Sequence, residues 1–162
     1  VLVIGKTEGH LEQSLFLREI LNEKNGPPPE INLFNEKNNG ETILKLIDKN
    51  FIKSAHDVSL GGILTALSKM CIKGKKGVTL KKPNYLISKF EYLFGEDQGR
   101  YIVEIEQSDY KEFAKILEKN SVHYDEIGTV NDSELIIDDK SKVSIDDLIK
   151  SHTIWLTNYM SK

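Results

Sequence analysis

Cysteine is nearly absent: Cys71 is the only one in 162 residues, so an intrachain disulfide is excluded. Its position in the apolar stripe of a predicted helix assigns it a buried, unreactive thiol, which suits a reducing cytoplasm. Long apolar runs are missing too. None reaches the roughly 20 residues that cross a bilayer, and no basic segment followed by an apolar stretch marks a secretory signal. There is no surplus of one charge: 22 Lys and Arg are interleaved with 25 Asp and Glu, for a net charge of -3. That balance argues against nucleic acid or a membrane as partner. Histidine is sparse. His10 and His123 have no ligand at metal-binding spacing, and His152 falls on the apolar face of a predicted helix as a packed side chain, so no metal site is assigned.

What is present suits a globular domain with a sizeable core: 39% of residues are hydrophobic and 29% charged. Val1 to Ile4 reads as a strand already under way, and the expectation is that residues 1–162 form a single C-terminal domain, a fragment of a longer polypeptide. The polar loop Gly5 to His10 leads to a helix predicted over Gln13 to Asn22. That loop lacks the full glycine, lysine and hydroxyl spacing of a nucleotide P-loop. Asn25-Gly26-Pro27-Pro28-Pro29 is a stiff connector. A helix follows from about Glu41 to Asn50, with Ile43, Leu44, Leu46 and Ile47 as its apolar face. Strands are predicted over Ile52 to Val58, Val78 to Leu80, Tyr101 to Ile105 and Tyr124 to Val130. Another helix runs from beyond Gly62 to about Ile72 and stops at Lys73-Gly74, with Gly74 left-handed. The segment Lys81 to Ser88 has no clear period. Asp109 to Asn120 is helical, with Phe113, Ala114 and Leu117 facing inward.

Turn signals at Asn131-Asp132-Ser133 and Asp138 to Ser141 bracket Glu134 to Ile137, which is expected to pair in a hairpin. Ser144 caps a terminal helix whose stripe comprises Ile145, Leu148, Ile149, His152, Leu156 and Tyr159, with Trp155 at its buried margin. Strand-helix-strand units with a late hairpin predict an α+β fold, a mixed sheet flanked by helices.

Two polar strings stand out. In Ser54-Ala55-His56-Asp57-Val58-Ser59-Leu60-Gly61-Gly62, a strand end meets a helix start, whose free N–H groups and positive dipole end favour an anion such as phosphate. The competing reading is that Ser59 caps the helix and Gly61 and Gly62 permit a tight turn. The second string is Glu96-Asp97-Gln98-Gly99-Arg100, directly before an alternating strand. Its groups suit a metal-bridged phosphate, although a solvated turn with a local Glu or Asp to Arg pair is the commoner outcome of such a string. The candidate ligand or pseudo-site residues are His56, Asp57, Ser59, Gly61, Gly62, Glu96, Asp97, Gln98 and Arg100, and no residue is assigned a catalytic role.

The string His56 to Gly62 with Ala66, Leu67 and Met70, together with Leu93 to Tyr101, resembles the synthetase subunit of the phosphoribosylformylglycinamidine synthase family. Gly5-Lys6-Thr7, Ser14 and Pro27-Pro28 extend the similarity over nearly the whole chain. The resemblance is to the last C-terminal domain of that subunit, a member of the aminoimidazole ribonucleotide synthetase superfamily. It implies a part in converting formylglycinamide ribonucleotide, ATP and glutamine-derived ammonia to the amidine, with ADP and phosphate released. It also implies ATP and magnesium as cofactors of the whole enzyme, held mainly by domains outside this chain. The implied partners are those domains, a glutaminase and a small accessory subunit.

Glu96-Asp97-Gln98 occupies the place of a Glu-Ser-Gln substrate contact in the family's first C-terminal domain, and the second half carries a pseudo-active site. These residues are therefore expected to be structural or nucleotide-adjacent, and the chain alone is expected to be inactive and to hold no cofactor. Two departures weaken ligand binding further: Leu60 stands where the family commonly has Asp, and Gly9 to Gln13 replaces a glycine pair before Ser14. The matching domains of aminoimidazole ribonucleotide synthetase, thiamine monophosphate kinase and selenophosphate synthetase remain alternatives, although the Phe94 to Tyr101 string argues against them. A freestanding regulatory module that binds a nucleotide or phosphometabolite is the other alternative.

Overall fold

The computed structural model describes residues 1–81 and 87–161, so most of the segment left without a period lies outside the described residues. In chain order the elements are β1 (Leu2–Ile4), α1 (Leu33–Asp48), β2 (Ile52–Val58), α2 (Gly62–Gly74), β3 (Gly77–Leu80), α3 (Lys89–Phe94) and β4 (Arg100–Ile105). They continue with α4 (Tyr110–Lys119), β5 (Tyr124–Glu126), β6 (Gly128–Asn131), β7 (Glu134–Ile136), β8 (Lys142–Ser144) and α5 (Ile145–Met160). The strands form two four-stranded sheets flanked by helices, so the expected mixed α+β character holds, with two sheets in place of one.

The first sheet has the order β2-β4-β1-β5 and is antiparallel throughout, with Val3 opposite Ile102 and Ile4 opposite both Tyr101 and Tyr124. Side chains alternate across a strand, and both faces of β1 and β4 are covered. Val3 and Ile102 join Ile63, Leu67, Leu93 and Ile127 in one core cluster, while Leu2, Ile4 and Val103 join Ile43, Leu46, Phe113 and Leu117 in the other. Thus α2 and α3 cover one face, and α1 and α4 cover the other.

The second sheet, β6-β3-β7-β8, is mixed. The predicted strand Tyr124 to Val130 divides at Ile127, which is buried and passes the chain between sheets. The Ile127 N–H donates to Val1 O at 3.0 Å and its carbonyl accepts from Lys81 N at 2.9 Å, so the transfer leaves neither group unpaired. The Asn131 to Ser133 turn does not close a hairpin: β3 lies between β6 and β7, antiparallel to one and parallel to the other. The hairpin is β7 with β8, through the second turn.

Other expectations shift for local reasons. The first predicted helix shrinks to a five-residue π-type turn at Leu17–Leu21. Gln13 adopts φ 59°, outside the helical region, and its amide donates to Asn25 O and Gly26 O instead of extending a helix. α1 starts eight residues before the predicted Glu41, because the Asn32 side chain accepts from Asn35 N at 3.0 Å and caps it. Asn39, which precedes the predicted helix, is buried inside the observed one and donates to Gly99 O at 2.9 Å. The helical-face residues Leu44 and Ile47 are exposed. At the end of α2 the left-handed residue is Lys75, not Gly74. The terminal helix is capped by Ser144 as expected, but only its first two turns pack on the core. His152, Leu156 and Tyr159 are exposed, and so is Trp155, expected at a buried margin.

Candidate functional site

The two polar strings meet. β2 and β4 are antiparallel neighbours with Val58 opposite Arg100, so the loop that follows β2 and the loop that precedes β4 lie at the same end of the sheet. Gly62 takes φ 67°, and a Cβ there would fall 2.7 Å from the carbonyl oxygens of Leu93 and Gly95, so glycine alone lets the two strings close on each other.

Glu96 bridges the junction. Its Oε1 accepts from Gly61 N at 2.8 Å and from Leu15 N at 2.7 Å, at the starts of α2 and of the 17–21 turn. The N-cap of α2 is Gly61, with no side-chain cap, and Ser59 contributes only its carbonyl, which accepts from Gly62 N. The anion at this helix start is therefore the chain's own carboxylate, where partial positive charge favours it. Leu60 next to it is an exposed aliphatic side chain.

Asp97 and Arg100 sit deeper. Asp97 is 7% exposed, and its two oxygens accept from three consecutive backbone N–H groups: Glu8 at 3.1 Å, Gly9 at 3.0 Å and His10 at 3.0 Å. That is the donor arrangement of an anion-binding backbone nest, filled from within. Arg100, 1% exposed, donates to Gly95 O at 2.7 Å, Asp97 O at 3.2 Å and Thr7 Oγ1 at 3.2 Å, and its Nη1 lies 3.4 Å from Asp97 Oδ2. Burial pushes the guanidinium pKa down, and the Asp97 charge opposes that shift. The pair is local, as one reading of the string held, but it is buried and ties the Thr7 to His10 loop to the Gly95 to Arg100 string. Gln98 is exposed beside it.

His56 and Asp57 stand apart from this knot. His56 lines a cavity of about 280 Å³ with Cys71 and Glu104, and its Nδ1 lies 2.6 Å from Asp57 O and 3.3 Å from Asp57 Oδ1. The Asp57 side chain is 64% exposed. Asp97 and Gln98 line a different, polar groove of about 1080 Å³, between the Gly5 to Glu12 loop and the Pro27 to Asn39 segment. Of the candidates, His56 thus faces one concavity and Asp97 and Gln98 the other. Cys71 is buried, and desolvation pushes its thiol pKa up to about 11.

Three participants escaped the sequence reading: Thr7, Leu15 and Asn39. Gly5 and Gly9, both at positive φ, bracket Thr7 and hold the signal. They shape a loop whose N–H groups converge, but its failed P-loop spacing turned attention elsewhere. Leu15 contributes only its backbone, which no side-chain pattern announces.

Magnesium does not fit the acids here. The carboxylates of Glu96 and Asp97 are taken up by backbone donors, and among the described residues no group of three His, Cys, Asp or Glu is placed to hold a metal ion.

Comparison with known proteins gives a consistent picture. A family profile described as AIR synthase related protein, C-terminal domain, matches residues 1–140. The phosphoribosylformylglycinamidine synthase subunit PurL of Pelagibacter ubique is 81% identical over 99% of this chain, and that of Bartonella bacilliformis is 36% identical over 99%. In both cases the chain spans 22% of the relative's length. Among solved structures, Thermotoga maritima PurL complexed with FGAR superposes with a TM-score of 0.73 at 22% identity, covering 92% of this chain and 27% of that one. HypE of Escherichia coli gives 0.60 at 16% identity, over 89% of this chain and 48% of that one. At these identities the two structures establish the fold.

Proposed function

The chain belongs to the AIR synthase related protein, C-terminal domain, family, and from that premise we propose that residues 1–162 act as the last C-terminal domain of a phosphoribosylformylglycinamidine synthase. The near-identity with the Pelagibacter subunit across the whole stretch carries this reading. The complete enzyme is an ATP-dependent carbon-nitrogen ligase of purine biosynthesis, working in the cytoplasm. It converts formylglycinamide ribonucleotide, ATP and glutamine-derived ammonia to formylglycinamidine ribonucleotide, ADP and phosphate. ATP and magnesium are held outside this chain, and a glutaminase and a small accessory subunit supply the ammonia. The chemistry requires ATP because an amide oxygen leaves poorly until it is phosphorylated.

Within that enzyme this chain is wall and scaffold. Supporting this, the groups best suited to an anion or a cation, Glu96, Asp97 and Arg100, already satisfy one another and the backbone around them. The same saturation weighs against a freestanding module that takes a phosphometabolite at the start of α2, since Glu96 holds that position.

The test is turnover. The complete polypeptide, given ATP, magnesium, ammonia and formylglycinamide ribonucleotide, is expected to form the amidine, and the 162-residue chain alone is expected to form none. Absence of ligase activity in the complete polypeptide would overturn the assignment. Turnover by the 162-residue chain would overturn its role as scaffold.

A further inference from the structure

The second half of α5 reverses the usual distribution of side chains. Ile154, Trp155, Leu156, Tyr159 and Met160 are between 43% and 75% exposed, and every residue from Ser151 to Met160 is exposed. At 100° per residue, Leu148, Ile149, Trp155, Leu156, Tyr159 and Met160 fall within an arc of about 140°. The stripe that buries Ile145 and packs Leu148 and Ile149 against the core therefore continues, on the same side, for roughly 15 Å past the edge of the domain. Charge disappears with it. Ser151 to Ser161 contains no Asp, Glu, Lys or Arg, in a chain where 29% of residues are charged. Loss of charge together with Trp, Tyr and Met is the composition of an interface core, whereas a solvated helix face carries charge. The ring stacking of Trp155 on Tyr159, centroids 5.4 Å apart, leaves most of both rings uncovered.

We propose that this helix end is a docking element seated on another domain of the same long polypeptide. The inference rests on the reading of the chain as one part of a larger synthetase and adds which surface makes the contact. Two observations favour this occupant. The matched relatives carry most of their length outside this stretch, which spans 22% of them. A tethered domain meets the helix at an effective concentration in the millimolar range, which a separate molecule does not reach. The area points the same way. The exposed apolar side chains amount to on the order of 500 Å², so two copies would bury about 1,000 Å² between them, below the roughly 1,200 Å² at which specific interfaces between separate proteins begin. Contacts between domains of one chain span about 600–1,500 Å², and hydrophobic ones such as this hold the domains in place.

Hydroxyl-radical footprinting of the complete polypeptide tests this, because Trp155, Tyr159 and Met160 carry readily oxidised side chains. Each is expected to be oxidised at least tenfold more slowly in the folded polypeptide than after denaturation, independently of protein concentration. Oxidation within threefold of the denatured rate would overturn the proposal. Protection that appears only as concentration rises would assign the surface to a second copy, and protection only with phosphatidylcholine vesicles would assign it to a lipid surface; either overturns it. The readout does not depend on turnover, so a polypeptide that lacks ligase activity yet protects these residues would fail the functional reading and leave the docking element standing.

Discussion

The loop before β4 and the end of α5 are mirror images of each other. At the first, an aspartate and an arginine lie almost wholly inside the protein; at the second, a tryptophan, a leucine, a tyrosine and a methionine lie outside it. Burying a charge is costly unless it is paired and hydrogen-bonded, and here each charge has its partners within the chain. Exposing a contiguous apolar stripe is costly unless something covers it, and no partner for the α5 stripe lies within the described residues. The buried polar knot is therefore finished structure, and the exposed apolar helix is unfinished structure. Polarity alone, read along the sequence, assigns them the other way round, with the charged string as a ligand site and the apolar stripe as core.

The largest effect is expected from breaking the finished region. Arg100→Met keeps the apolar stem of the side chain but strands Asp97 beside three carbonyl and hydroxyl oxygens, and removing one member of a buried ion pair costs about 3–5 kcal/mol. Urea denaturation followed by circular dichroism should show a loss of that size. Asp97→Ala should be comparable, because it orphans the N–H groups of Glu8, Gly9 and His10. The double variant should lose clearly less than the sum, since the two residues share one network. A cost below about 1 kcal/mol for Arg100→Met would mean that the knot is not what joins these segments.

The fold class was legible in the sequence because it follows from periodicity. The strand predicted over Tyr101 to Ile105 lies within β4, which buries Ile102 on one face and Val103 on the other, and the helical spacing of Phe113, Ala114 and Leu117 marks the one face that α4 buries. The closeness of the two strings was not legible from either string alone, because it follows from the antiparallel pairing of β2 with β4. Much of what escaped depends on groups without a side-chain signature, although Thr7 and Asn39 act through their side chains. Leu15 and Gly9 act through their N–H groups, Ile127 changes sheets without a proline or glycine to mark it, and β3 inserts between β6 and β7 although their connecting turn suggests a hairpin. Trp155 and Tyr159 failed differently. Their stripe was read correctly as apolar, but a stripe states only that a helix has a face to cover and not where the cover comes from.

A smaller effect is expected where the finished region borders the surface. Glu96 is half-buried, and its carboxylate oxygen serves Gly61 N and Leu15 N together. Glu96→Ala should cost about 1–2 kcal/mol, since both donors can recover a bond to water once the side chain is gone. Glu96→Gln keeps an acceptor oxygen but loses the charge that suits two helix starts, and should fall between wild type and alanine. Equal losses for the two variants would show that the charge matters and the hydrogen bonds do not.

The smallest effect is expected at the unfinished region, and its smallness is what makes it informative. Tryptophan and serine lie close together on the helix-propensity scale, so Trp155→Ser changes the stability of this chain only through tertiary contacts made by the indole. With the residue 66% exposed and its ring stacked, among the described residues, on Tyr159, the change should stay within about 0.5 kcal/mol in denaturation of the 162-residue chain. Trp155 is the only tryptophan, so its fluorescence reports the same environment directly, and emission typical of a solvated indole is expected. A loss above about 1 kcal/mol would place the indole among the contacts that hold this domain together. The end of α5 would then be as finished as the Asp97 and Arg100 knot, and the contrast between the two regions would disappear.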